Sequence, residues 1–88
     1  MSKWNTFRAR LNHIKYWPQK YMFKFIVPAD MDKIARVEAL FHESAVIYRK
    51  ESQKGNFISI TAKQNMDNAE QIINIYKQAI KIESIVSL

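Results

Sequence analysis

The sequence predicts an α+β fold in which antiparallel strands alternate with amphipathic helices. Apolar residues recur at every second position in some segments and at every third or fourth position in others, which are the periods of strands and helices. Gly55, the only glycine, lies between two strand-like segments and marks a hairpin loop. The chain has 88 residues, 48% of them apolar and none of them cysteine, so we expect one small domain held by packing and hydrogen bonds.

The N-terminal segment predicts an amphipathic helix over residues 3–16. Its apolar residues follow a 3-4-3 spacing and gather on one side of the helix, with basic residues at both borders. This N-terminal stripe comprises Trp4, Phe7, Leu11 and Ile14. Trp17-Pro18 ends the helix, because proline disfavours a helical conformation in the residue before it. We therefore divide the chain into residues 1–18, a basic helix with its connector, and residues 19–88, the main domain.

Three roles are open for the N-terminal stripe. It covers the sheet face that the main helices leave open or packs on a partner, it lies on an anionic membrane surface, or this acid-free segment is a transit peptide. We favour packing, because Trp17-Pro18 leads into the first strand without a linker. No apolar run approaches the ~20 residues of a membrane-spanning helix and no secretory signal is visible, so we expect a cytoplasmic protein without a membrane span.

The main domain begins with a predicted strand and helix. Residues 21–27 alternate, and one set of side chains is expected to face the core: Tyr21, Phe23, Phe25 and Val27. Asp30 is a suitable N-cap for a helix that we expect to run to about Ser44. The apolar face of that helix comprises Ile34, Val37, Leu40 and Phe41.

A hairpin, a second helix and a terminal strand follow. With a loop over residues 52–55, the expected cross-strand pairs are Glu51 with Asn56, Arg49 with Ile58, and Ile47 with Ile60. Asn68 with Gln71, or Asp67 with Glu70, resembles a capping box and begins the second helix. Its apolar face comprises Ala69, Ile72, Ile73, Tyr76 and Ile80, and residues 82–88 form a last strand.

The resulting order, β-α-β-β-α-β after an N-terminal helix, predicts a ferredoxin-like sandwich with both main helices on one face of a four-stranded antiparallel sheet. The other sheet face, which we call the open face, is left as the candidate interaction surface. Its residues are Met22, Lys24, Ile26, Tyr48, Lys50, Phe57, Ser59 and Thr61.

Several motifs together resemble the YbeD-like family of uncharacterised small bacterial proteins. They are Trp17-Pro18, the run Tyr21-Met22-Phe23-Lys24-Phe25-Ile26-Val27-Pro28, the run Ser52-x-Lys54-Gly55-Asn56-Phe57-Ile58-Ser59-Ile60-Thr61-Ala62, and Ile72-Ile73-x-Ile75-Tyr76-Lys77. The resemblance implies a ferredoxin-like domain similar to ACT regulatory domains, which bind small effectors, and it implies no established activity. Many ACT domains have a glycine after the first strand, whereas this loop reads Pro28-Ala29-Asp30-Met31, so amino-acid binding there is not expected.

The sequence gives little support to catalysis. His42, Glu43 and Ser44 are neighbours on the predicted helix, project about 100° apart and are not expected to converge. Glu38 and His42 are four residues apart, but no third and fourth metal ligand accompanies them. We expect a non-enzymatic protein without a metal or cofactor.

The basic charge of the chain is compatible with two classes of binding function. The net charge is +6, and every basic residue of the excess precedes Asp30, the first acidic residue. We expect a regulatory or interaction module that binds a protein partner or small effector, and that forms a homodimer, through the open face or a strand edge. The alternative is RNA or single-stranded DNA binding by Lys24, Lys50, Tyr48, Phe57 and the basic N-terminal segment. Lys54-Gly55 matches the RNA-recognition motif, but the two positions for stacking aromatics hold Asn56 and Ile58.

Overall fold

A computed structural model describes residues 3–88, and within this range it confirms the α+β class. Three helices and four strands follow one another in the order α1 (Lys3–Leu11), β1 (Gln19–Pro28), α2 (Met31–Glu38), β2 (Val46–Glu51), β3 (Phe57–Met66), α3 (Ala69–Ala79) and β4 (Val86–Ser87). None of the helices in the described range combines the length and the apolarity needed to cross a bilayer.

The four strands form one antiparallel sheet in the order β2-β3-β1-β4. β1 and β3 are the central strands and pair along their full length, from Gln19 opposite Met66 to Pro28 opposite Phe57. β2 is one edge, and the short β4 is the other, where it pairs with Phe25 and Ile26.

The core lies between the sheet and the helices α2 and α3. Phe23, Phe25 and Val27 of β1 are fully buried, as their alternation predicts. The Tyr76 ring of α3 packs on Phe23 and Phe25, and its centroid lies 5.3 Å and 5.7 Å from the centroids of their rings. Every buried residue in the described range is apolar or aromatic, so the core is held by packing.

Both main helices begin at the N-caps that the sequence predicts. The Asp30 carboxylate accepts a hydrogen bond from the Asp32 N–H at 2.9 Å, and the Asn68 side chain accepts one from the Gln71 N–H at 2.9 Å. α2 ends at Glu38 rather than near Ser44, and Phe41 reaches the core from the turn that follows.

The hairpin register differs from the expected one by two residues. Glu51 lies opposite Ile58, Arg49 opposite Ile60, and Ile47 opposite Ala62. The Ser52 N–H donates to the Phe57 carbonyl, so the turn closes one residue later on each strand than expected. A shift of two residues keeps every side chain on its expected face.

Three further boundaries are wrong in the sequence prediction. α1 ends at Leu11 instead of residue 16, and the last strand contains only Val86 and Ser87. Ile80 follows the end of α3 and is 53% exposed, so it does not join the apolar face of that helix. The chain turns there, with Ile82 buried and Ser84 at a positive φ of 65°.

α1 packs on α3, on the helical side of the sheet. Phe7 contacts Tyr76 with ring centroids 5.4 Å apart, Arg8 forms an ion pair with Glu70, and Leu11 is buried. The N-terminal helix therefore leaves the opposite side of the sheet uncovered.

Candidate interaction surface

Strand pairing places the predicted interaction residues on one face, the open face. Paired residues of an antiparallel sheet share a face, and the ladder groups these residues in cross-strand rows. The rows are Lys50, Ser59, Ile26 and Val86; Tyr48, Thr61 and Lys24; Val46, Lys63 and Met22; and Phe57 with Pro28.

Large apolar side chains on the open face are exposed. Met22 is 56% exposed, Tyr48 57% and Phe57 48%. Residues 3–88 provide no element that covers them, since α1, α2 and α3 all lie on the other side. A contiguous surface of this kind, rimmed by charge, is typical of an interaction site.

The open face is basic. Four lysines project from its strands, Lys20, Lys24, Lys50 and Lys63, whereas no outward strand position in the described range holds Asp or Glu. Glu51 borders the face at the hairpin, where it lies beside Gly55. The Lys63 Nζ is 5.8 Å from the centroid of the Tyr48 ring, a cation–π distance. The electrostatic character of this face therefore favours acidic groups.

Two shallow depressions mark the open face. One, of about 300 Å³, surrounds Tyr48 and is bordered by Met22, Lys24 and Lys63. The other, of about 320 Å³, lies beside Phe57 and has Ile26 and Lys50 in its wall. Both are surface hollows, which suit contact with a partner's side chains better than enclosure of a ligand.

The sequence prediction misses Lys20, Val46 and Lys63 on this face. β1 and β3 extend beyond residues 21–27 and beyond Thr61, the limits expected from the alternating pattern. Continuing the alternation by one step in each strand identifies Lys20 and Lys63 as outward residues. The same rule identifies Val46 as an outward residue, because it lies two residues before Tyr48, which the sequence prediction places on the open face.

The N-terminal stripe packs within the chain. Leu11 is buried, and Trp4, Phe7 and Ile14 are partly buried against the core. The ammonium groups of Lys3 and Lys77 lie 6.0 Å and 5.7 Å from the centroid of the Trp4 ring. The basic N-terminal segment therefore does not join Lys24 and Lys50 on the open face.

The structure corrects the expectation that His42 and Ser44 cannot converge. Both lie in the connection between α2 and β2, and the His42 Nδ1 is 2.8 Å from the Ser44 Oγ. The Ser44 N–H also donates to this Nδ1, at 3.1 Å. Nδ1 is therefore an acceptor, and the neutral ring carries its proton on Nε2. The contact orders the loop around this ring.

Glu38 pairs with Arg49 rather than with His42. The Arg49 guanidinium donates two hydrogen bonds to the Glu38 carboxylate, at 2.5 Å and 2.7 Å, and these bonds lower the pKa of Glu38. The pair joins α2 to the edge strand β2. Across residues 3–88, no three His, Asp or Glu side chains are grouped closely enough to hold a metal ion.

Comparison with known protein families decides the family. A family model described as "Protein of unknown function (DUF493)" matches residues 12–87, which include all four strands and the helices α2 and α3. The chain belongs to the DUF493 family. The YbeD-like family and the DUF493 family are the same, so the resemblance seen in the sequence is confirmed. The DUF493 match begins after α1, and of the N-terminal stripe it includes only Ile14. No curated protein and no solved structure matches the chain.

Proposed function

We propose that the protein is a non-catalytic interaction module that acts in the cytoplasm and binds an acidic partner through its open face. The observation that carries the proposal is a sheet face with four lysines, no outward carboxylate in the described range, and exposed Tyr48 and Phe57. Lysines attract and orient an acidic surface, and burial of the aromatic and apolar side chains contributes affinity. The best fit is an acidic protein, and a small acidic effector is the alternative within the same class.

A ferredoxin-like order of the sheet is part of this proposal. The strand order β2-β3-β1-β4, read from the other edge, is 4-1-3-2. α2 and α3 each connect two strands that are consecutive in the sequence but not adjacent in the sheet. This arrangement supports a likeness to ACT domains and hence a regulatory role. In such a sandwich, the sheet face opposite the helices is free to bind.

The experiment is a capture assay from bacterial lysate with charge-reversed variants. Lys24→Glu changes the open face, and Lys81→Glu makes the same charge change beyond the end of α3, on the helical side. We expect the wild type and Lys81→Glu to retain the same acidic proteins, and Lys24→Glu to lose them. Equal retention by both variants would contradict the proposal.

We also propose that the protein forms a homodimer through β2. This strand is an edge of the sheet, and one side of its backbone, from Val46 to Glu51, has no strand partner in the described chain. Pairing of two β2 strands would extend the sheet and both open faces. Light scattering should give a mass that rises with concentration from 10.4 kDa toward twice that value, and a strict monomer would contradict this step.

Binding of single-stranded nucleic acid is the second candidate. It is favoured by the exposed rings of Tyr48 and Phe57 beside Lys24 and Lys50, since bases stack on aromatics while lysines contact phosphates. The alternation of side chains along β3 is inconsistent with a standard RNA-recognition motif. Ile58 occupies one of the positions where that motif has a base-stacking aromatic, but its side chain faces the helices. A labelled oligonucleotide should bind with an affinity that falls steeply with added salt. Absence of binding at low salt would end this alternative.

A further inference from the structure

A polar cavity of about 380 Å³ lies at the sheet edge where β2 begins. β2 starts at Val46, opposite Lys63, whereas β3 continues to Met66 without a partner on that side. The connection between α2 and β2 passes over this gap, and the His42 N–H donates to the Gln64 side chain at 2.7 Å. We call this site the edge cavity.

Among residues 3–88, the edge cavity is lined by polar side chains and by Val46, and by no carboxylate. Lys20 and Lys63 contribute two cations from adjacent central strands, and neither has a carboxylate within ion-pair distance in the described part of the chain. Ser44 and Asn65 add neutral polar groups. Gln71 also lines the cavity, but its side chain is bonded to Asp67, which lies outside the lining.

His42 is held in the tautomer that adds another donor to this wall. Its Nδ1 accepts a hydrogen bond from the Ser44 N–H, so the ring donates through Nε2. The Ser44 hydroxyl donates to the His42 Nδ1, so the donors left for a ligand are two ammonium groups, the imidazole N–H and the Asn65 amide. Such a wall matches a ligand that carries several acceptors and negative charge.

We propose that the edge cavity binds the phosphate group of a small phosphate monoester. The dianion balances the charges of Lys20 and Lys63, and its oxygens accept from the His42 Nε2–H and the Asn65 amide. A carboxylate carries one charge and would leave one lysine unbalanced. The edge cavity shares Lys20 and Lys63 with the open face, but Tyr48 and Phe57 do not line it.

The test is an NMR titration of the whole protein with inorganic phosphate at pH 7.5, with ionic strength held constant by sodium chloride. We expect saturable amide shifts at His42, Ser44 and Asn65. Lys20→Gln should weaken the affinity about tenfold, the usual result of removing one charged hydrogen-bond donor. Lys24→Gln is the matched control, because Lys24 lies four residues from Lys20 on the same strand and face but does not line the cavity.

Two outcomes overturn the proposal. One is equal weakening by Lys20→Gln and Lys24→Gln, or shifts that grow linearly without saturation, because either shows screening of a basic surface. The other is binding of ribose as well as ribose 5-phosphate, because recognition would then not depend on the phosphate. Retained spectra of both variants outside the cavity establish that they fold.

The source of the phosphate follows from two further probes. Tighter binding of ribose 5-phosphate than of inorganic phosphate supports a free metabolite. Tighter binding of a 5′-phosphorylated oligonucleotide than of the same strand without the phosphate supports a nucleic-acid end. Both results support the phosphate site, and failure of both probes at concentrations where inorganic phosphate saturates contradicts a monoester ligand.

Discussion

The Phe7 ring meets the Tyr76 ring edge to face, with centroids 5.4 Å apart and an angle of 79° between the planes. This contact joins α1 to α3 and is reinforced by the ion pair between Arg8 and Glu70. Burial raises the pKa of Tyr76, and the nearby Tyr21 hydroxyl, 3.3 Å away, adds to the effect. The N-terminal helix is thus part of the helical layer, and the open face remains free for a partner.

Removal of the Phe7 ring should destabilise the protein. We expect Phe7→Ala to lower the free energy of unfolding by about 2 kcal/mol, less than for a fully buried phenylalanine, because Phe7 is only partly buried. Urea unfolding measures the change. Thr6→Ala, on the exposed side of the same helix, is the control and should change stability by less than ~0.5 kcal/mol. Equal effects would show that α1 is not docked on α3.

The ion pair between Glu38 and Arg49 should stabilise the fold in a pH-dependent way. Hydrogen bonding to Arg49 lowers the pKa of Glu38 below its ordinary value of 4.5, so the folded state binds a proton less readily than the unfolded state. The stabilisation is therefore present above the unfolded pKa and is lost as pH falls through the folded pKa. Since Arg49 is half exposed, we expect Glu38→Gln to cost about 0.5–1 kcal/mol at pH 7 and progressively less as pH falls below the unfolded pKa.

Chemical unfolding across this pH range checks the Glu38 prediction. Glu43→Gln is the control, because Glu43 is exposed and makes no ion pair within residues 3–88. A pH-independent loss in Glu38→Gln, or the same loss in both variants, would be inconsistent with the assigned pair.

The division of the sheet into a core face and an open face could be predicted from the sequence. Strand alternation places Phe23 and Phe25 inside and Lys24 outside whatever the exact register, because the side-chain period is two residues. The hairpin register was missed by two residues for the same reason. Both registers satisfy the hydrophobic pattern, and the choice depends on the bond from the Ser52 N–H to Phe57, which composition does not encode.

The hairpin also depends on the backbone conformation of Gly55. Its φ is +72°, a conformation that costs a residue with a Cβ about 1 kcal/mol and that asparagine tolerates better than alanine. A Cβ would approach the Glu51 Oε1 at 2.8 Å in either variant, and that flexible carboxylate can move. We therefore expect Gly55→Ala to lose about 1 kcal/mol in urea unfolding and Gly55→Asn to lose less. Wild-type stability in Gly55→Ala would contradict the positive φ.

Two parts of the structure were beyond prediction from the sequence. The N-terminal stripe indicates an apolar helix face, but its sequence does not show which element this face packs on. Only the contact of Phe7 with Tyr76 in the structure identifies that element as α3. The edge cavity depends on where β2 starts relative to β3 and on the loop contact of His42 with Gln64, residues 22 apart in sequence. Such long-range contacts leave no periodic signal.

The most direct test of the uncovered open face uses the methionine methyl groups. Met22 on this face is 56% exposed, Met31 on the helical side is 77% exposed, and Met66 in the core is 1% exposed. We propose ¹³C-methyl NMR of the dilute protein with a soluble paramagnetic agent. An uncovered open face predicts strong relaxation of the Met22 and Met31 methyl signals and protection of Met66. Protection of Met22 to the same degree as Met66 would show that the open face is covered.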